Sequence, residues 1–433
     1  MPLTDHTFTP LRAERETRFG ALHLPADFIA PNYGGRSIVN LPASIAHILG
    51  GRHPTPRLDS DLIDALAAGV RRVALVMVDA LGYDFLTRAL GANPDNGFHT
   101  LLNHGGRLAP LTSVFPSTTT AALTSLWSGY TPAEHGSVGF QLFLRGPSLR
   151  ANMIKFQAAA LYKLGGEQLP AAGVEPDKFL PVPALPQTLA RFGVPTFNLI
   201  EQPYEKSPLS RMQIRGVKET RGFVTSSDMW LALRKVMEER PTEKALFVAY
   251  WSAVDTISHT YGPASDAIVA EINNLAYSFE REFLRPLASA ARQDTLFLLT
   301  ADHGHAATPP EGVVYLNKHP FIRERLVMDY AGEPRAAYLY CTQGEMESVR
   351  QYFVDHLADK FFVLDSRAAL DAGLFGPPPF APETRYRVGD LIVLARGHHS
   401  LWERDDVPKT LGRHGGLSET EMVVPLLAAR LDG

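Results

Sequence analysis

The chain has a single cysteine, Cys341, in 433 residues. A disulfide within the chain is therefore excluded, and a reducing compartment fits. At the end of the apolar run AAYLYC this residue reads as a buried structural thiol. Excess charge is also scarce: 42 Lys and Arg against 46 Asp and Glu leave a formal net charge of −4. No basic block stands out, which excludes the electrostatic footprint of a protein that tracks a nucleic-acid polymer. No apolar run approaches the ~18 residues of a membrane span. The opening stretch MPLTDHTFTPLRAERETRFG has no apolar signal core. A cytoplasmic location is the resulting expectation. Internal repeats and low-complexity tracts are missing too.

What is present is an ordinary globular composition, 45% apolar and 20% charged. Three segments share one grammar, an apolar β-prone run that ends in an acidic residue: RRVALVMVDALGYD (Asp79), KALFVAYWSAVD (Asp255) and DTLFLLTADHGH (Asp302). Unbroken apolar runs of this length suit strands covered on both faces. Helical patterns such as SDMWLALRKVMEE lie between them. The alternation predicts an α/β fold, a doubly wound, mainly parallel central sheet with helices on both faces and a smaller α+β insertion. One domain spans residues 1–433. The Pro- and Gly-rich stretch 308–400, with AAYLYC and FFVLD as short strands, is expected to form a cap-like subdomain inserted into it. MVVPLLAARL then returns to the main sheet. The first 60 residues read as an extended arm and a short helix.

Ligands of such sheets gather at the carboxyl ends of the strands, where all three Asp residues are expected. In VDTISHTYGP, Asp255 and His259 are four apart and leave a helix on the same face. In ADHGH, Asp302 and His303 are adjacent beyond a buried strand, and Gly304 lets another backbone pass close by. His305 reads as a supporting group rather than a ligand. GRHGG places His414 in a glycine-rich loop before the final strand. The remaining His53, His99, His104 and His356 read as surface or cap residues, and His135 as part of a turn.

Three carboxylates and three imidazoles, Asp79, Asp255, Asp302, His259, His303 and His414, are too many for one catalytic zinc. They suit two divalent ions, zinc first and manganese second, since magnesium prefers oxygen ligands. Two such ions can clamp the attacking and leaving oxygens of a phosphoryl displacement. The stretch SVFPSTTTAALTSLWSGYTP then gains meaning. Thr118 to Thr120 open a small-residue helix, where hydroxyls either cap free N–H groups or supply a nucleophile beside an anion site.

The ordered pattern D…T-rich helix…DTISHTYGP…TADHG…HGG resembles the alkaline phosphatase superfamily, and within it the type I phosphodiesterase/nucleotide pyrophosphatase branch, from about Val73 to Leu427. The resemblance implies that Asp255, His259 and His414 hold one ion. Asp79, Asp302, His303 and the nucleophile would hold the other. Counting back ten residues from Gly129 gives Thr119 as nucleophile and metal ligand, with Thr118 as runner-up. Some positions depart from the branch: Val114, not Thr, precedes Phe115-Pro116. No Asn follows the H-G of PAEHGSVGFQLF, where Gln141 is the nearest polar substitute. No Arg neighbours Thr119. Lys155 and Arg145 are further candidates to contact substrate.

The expected function is hydrolysis of a small phosphate ester, nucleotides included, through a phospho-threonine. The missing arginine favours a diester or pyrophosphate over a dianionic monoester. The alternatives are a phosphomonoesterase or phosphomutase of the same superfamily, or a metal-stabilised binding protein. A serine hydrolase is disfavoured because no G-x-S-x-G elbow occurs. Oligomeric state is not legible.

Overall fold

The computed structural model of the chain describes residues 22–159, 168–404 and 410–433. Its main sheet has seven strands: β1 (Arg72–Val78), β2 (Arg107–Thr112), β3 (Thr196–Glu201), β4 (Glu219–Phe223), β5 (Ala245–Trp251), β6 (Thr295–Thr300) and β7 (Val423–Arg430), in the order β2-β7-β6-β1-β5-β3-β4. β6, β1, β5, β3 and β4 run parallel, and β7 is antiparallel to both its neighbours. Every residue of β1, β5 and β6 is buried, as strands covered on both faces require. Burying each large aliphatic side chain is worth about 1.5–3 kcal/mol, and the one charged residue in these three strands, Arg72, opens β1 with its guanidinium donating to the Ala290 carbonyl at 2.7 Å. The expected α/β architecture with a mainly parallel sheet is what forms.

Register explains why distant segments meet. Val78 pairs with Trp251, and Met77 with Thr300, so β1, β5 and β6 end at one edge. β7 runs the other way and starts at that edge, with Val423 opposite Thr112 at the end of β2. The segments that follow β1, β2, β5 and β6, and the one that precedes β7, therefore emerge together.

A second sheet is antiparallel throughout, in the order 361–365, 391–395, 336–339, 331–333, 141–144, 149–152, 157–158. It takes strands from the stretch 308–400 and also from 141–158, directly after the threonine helix. The two sheets are tied by a fully buried ion pair, Arg335 with Glu421, at 2.7 and 2.8 Å. The amino-terminal region forms the helices Asn40–Ile48 and Ser60–Ala67, and Ile29 N–H bonds the Leu417 carbonyl in the loop before β7. The part of the expected arm before residue 22 lies outside the described residues.

Candidate metal and phosphoryl-transfer site

Five segments meet at the common strand edge. After β5 the chain turns into helix α2 (Ala253–Tyr261), which ends at Gly262 with φ 85°, a conformation costly for other residues. Asp255 and His259 lie one turn apart on it, with His259 Nε2 3.4 Å from Asp255 Oδ1. His414 Nε2 lies 3.8 Å from the same oxygen. After β6 come Asp302 and His303. A Cβ at Gly304 would sit 2.1 Å from the Thr420 carbonyl, so the close passage expected of that glycine is real. Asp79 follows β1, with His303 Nε2 3.4 Å from Asp79 Oδ1 and 3.4 Å from Asp302 Oδ2.

The groups thus form two sets whose ligand atoms lie within 4.8 Å of one another: Asp79, Asp302 and His303, and Asp255, His259, His305 and His414. Six of these seven, all but His305, are the residues singled out in the sequence. His305, read there as a supporting group, joins the second set with Nε2 2.9 Å from Asp255 Oδ1. Its Nδ1 is buried with no hydrogen-bond partner.

The tautomers follow from the partners. The Nδ1 atoms of His259, His303 and His414 face the carbonyls of Gly412, Gly304 and Ser117 at 2.7, 3.1 and 3.1 Å. A carbonyl only accepts, so each Nδ1 carries the proton and each Nε2 keeps its lone pair, the form a metal binds. The carboxylates are oriented in the same manner. Tyr250 donates its hydroxyl to Asp79 Oδ2, and Asp302 Oδ1 accepts the N–H groups of Ala80 and His303 at 3.1 and 3.0 Å. The other oxygens, Asp79 Oδ1 and Asp302 Oδ2, are buried with no hydrogen-bond partner. Two unpartnered buried carboxylate oxygens beside a free imidazole lone pair carry a desolvation penalty that a divalent cation removes. The donor set fits two such ions.

Electrostatics agrees. Burial first, then the neighbouring Asp302 and Asp255, hold the Asp79 carboxyl well above the usual carboxylate range. Burial also raises Asp302, against the opposing pull of His303. Burial would raise Asp255 as well, but His259, His305 and His303 more than offset it and push it down. Burial, reinforced by the other imidazoles, drives His414 well below its ordinary value, and burial takes His305 down to about 4.

After β2, helix α1 (Thr119–Ser128) begins at the site. Thr119 Oγ1 lies 3.1 Å from His303 Nε2, so it faces the same point as the unpartnered oxygens. Thr118 caps the helix only in position: its hydroxyl makes no capping bond and instead hydrogen-bonds the Glu333 carboxyl of the second sheet. The two candidates are thereby separated, with Thr119 at the metal-ligand groups and Thr118 turned to the second sheet.

The other sequence candidates lie elsewhere. Gln141 is half-buried in the second sheet with Oε1 unpartnered, and Lys155 follows in its 153–156 turn; neither lines the cavity at Thr119, whereas Ile154 does. Arg145 is exposed and paired with Glu383. His135 is wholly buried, its Nε2 3.0 Å from Ser125 Oγ. Cys341 is only half-buried, because its neighbouring strand end reaches the surface. Sequence reasoning missed Tyr250 and Glu333. A Tyr inside an apolar strand and a Glu in AGE carry no signal of their own.

The sequence profile described as Type I phosphodiesterase / nucleotide pyrophosphatase matches residues 73–417. A comparison with curated protein sequences gives no match. Among solved structures, murine ectonucleotide pyrophosphatase / phosphodiesterase 5 is similar at 17% identity and TM-score 0.63, over 82% of this chain and 87% of that one. An inactive form of the murine protein in complex with AMP gives 17% identity and TM-score 0.60, with the same coverage. Phosphonoacetate hydrolase from Sinorhizobium meliloti, in complex with phosphonoformate, gives 19% and 0.59 over 83% and 90%. At these identities the likeness concerns the fold.

Proposed function

Because this chain belongs to the type I phosphodiesterase / nucleotide pyrophosphatase family, a family of phosphoester hydrolases, we propose that it is a two-metal phosphodiesterase working through a phospho-threonine on Thr119. The observation that carries this reading is the convergence of Thr119 Oγ1, His303 Nε2 and the unpartnered oxygens of Asp79 and Asp302. These residues, with Thr119, would hold one ion; Asp255, His259 and His414 would hold the other. When bound, the ions supply Lewis-acid charge that favours the alkoxide form of a hydroxyl and offsets charge on the phosphoryl oxygens. Zinc is the metal we favour, with manganese next, from the mixed nitrogen and oxygen donors.

In this mechanism Thr119 Oγ attacks phosphorus and the bond to the leaving oxygen breaks. Water then cleaves the phospho-threonine and restores the hydroxyl. The first turn of α1 directs N–H groups without helical partners toward the phosphoryl oxygens. His305 keeps Asp255 oriented through its 2.9 Å contact. A threonine-to-alanine change in the inactive murine protein, and its AMP, support the same roles for a threonine and a phosphate ester here. A diester is favoured over a dianionic monoester, because among the described residues lining the cavity at Thr119 none is Lys or Arg. A cytoplasmic setting is our reading from the single cysteine.

The test is Asp302→Ala in metal-loaded protein. Turnover of bis-p-nitrophenyl phosphate is expected to vanish while the circular dichroism spectrum is retained. Undiminished turnover overturns the proposal.

A further inference from the structure

Thr119, Leu123 and Trp127 recur every fourth residue of α1 and so share one face of that helix. Thr119 stands at the metal-ligand end. Leu123 and Trp127 line a cavity of about 300 Å³ that runs on from it, together with Ile200, Leu209 and Ile214. The helix Pro208–Gln213 packs on α1 and supplies part of this lining.

Several polar groups of the lining are engaged within the protein. Ser207 Oγ donates to Ser210 Oγ at 3.0 Å, Gln213 Nε2 donates to Thr124 Oγ1 at 3.2 Å, and Tyr250 donates to Asp79. Among the described residues that line it, none is Lys, Arg or His, and its only charged groups are Asp79 and Asp255. A polar substituent placed against Leu123, Trp127, Ile200, Leu209 and Ile214 would lose its water without gaining matched partners.

We infer that this cavity receives an uncharged, apolar ester substituent, an aryl or short alkyl group, and selects against carboxylate-bearing and nucleoside substituents. The inference rests on the reading of Thr119 as the attacking group. A volume of about 300 Å³ is at the lower end of ligand pockets, large enough for one ring. Transfer of that ring from water to Leu, Ile and Trp side chains supplies binding in proportion to the apolar area buried. A carboxylate meets no protein cation there, and a nucleoside brings hydroxyl and base groups that the apolar wall does not answer.

The experiment uses zinc-loaded full-length protein and three esters that share a p-nitrophenolate leaving group. Their second substituents are phenylphosphonyl, carboxymethylphosphonyl and thymidine 5′-phosphoryl. The phenyl compound is expected to lead each of the others by at least about tenfold in kcat/KM. Equal or reversed ratios overturn the inference. Ile154, at the rim and 42% exposed, tolerates a charge without loss of core packing. In Ile154→Arg the lead of phenyl over carboxymethyl is expected to shrink several-fold at unchanged Tm; an unchanged lead counts against the cavity. If no ester turns over, the hydrolase reading fails, and calorimetric titration still decides the cavity. Phenylphosphonate binding more tightly than phosphonoacetate supports it, and the reverse order or equality refutes it.

Discussion

Tyr250 donates its hydroxyl to Oδ2 of Asp79 and leaves Oδ1 turned to His303, 3.4 Å from Nε2. Tyr250 is the next-to-last residue of a wholly buried strand, so its position is set by core packing. Orientation of the carboxylate is thereby built into the sheet before any ion arrives. Tyr250→Phe keeps the ring and removes the donor. Metal affinity is expected to fall about 10- to 100-fold, read by competition with a chromophoric chelator. Unchanged affinity would remove Tyr250 from the site.

Thr119 and Thr118 differ by one position and by their partners. Thr119→Ala is expected to lower kcat on bis-p-nitrophenyl phosphate by at least about 10³-fold, as removal of a nucleophile does. Because Thr119 would also hold an ion, both variants are compared at saturating zinc with metal content measured alongside. Thr118→Val is expected to lower kcat far less, since that hydroxyl bonds Glu333 rather than the reacting group. Comparable losses in both variants would argue against Thr119 as the attacking residue.

Glu333 makes stability depend on pH. Burial takes its carboxyl from an ordinary 4.5 up to about 8, opposed by the Thr118 hydroxyl and the Phe140 N–H. Between these values the folded chain keeps a proton that the unfolded chain has lost. The free energy of unfolding therefore falls as pH rises, by up to about 1.4 kcal/mol per pH unit from this group. Glu333→Gln should flatten that slope, with the largest gain in Tm over wild type at and above about pH 8. Parallel Tm profiles for the two proteins would contradict the assignment.

Arg335 and Glu421 are both fully buried, and Glu421 also accepts the N–H of Gly416, two residues from His414. Arg335→Met leaves the carboxylate unpaired and is expected to cost about 3–5 kcal/mol in urea unfolding. Adding Glu421→Gln should recover part of that loss. A smaller loss in the single variant than in the double would be the opposite result.

The six candidate ligand residues were readable because two constraints meet in them. A strand covered on both faces must be apolar throughout, so the first carboxylate after it, as at Asp79, marks the strand's end. An Asp and a His four apart, as at Asp255 and His259, declare their shared helical face. The second sheet was only half legible. QLFL and LRAN are four-residue strands that pair with each other, while the other neighbour of QLFL, Ala331–Glu333, lies far along the chain, and such short segments carry no periodicity that names a partner. Glu333 was hidden for the same reason, because its contact with Thr118 exists only once that sheet is assembled. Thr119 and Thr118 look alike in sequence, and only their opposite surroundings tell them apart.

The last strand, β7, lies between β6 and β2, and in the main sheet β2 pairs with β7 alone. β2 also meets the stretch 36–38, through the bridge of Ser37 to Thr112. β7 therefore couples β2, and with it the helix that begins at Thr119, to the loop that carries His414. A substitution that loosens this one strand would disturb both groups at once, although Thr119 lies far from it in sequence.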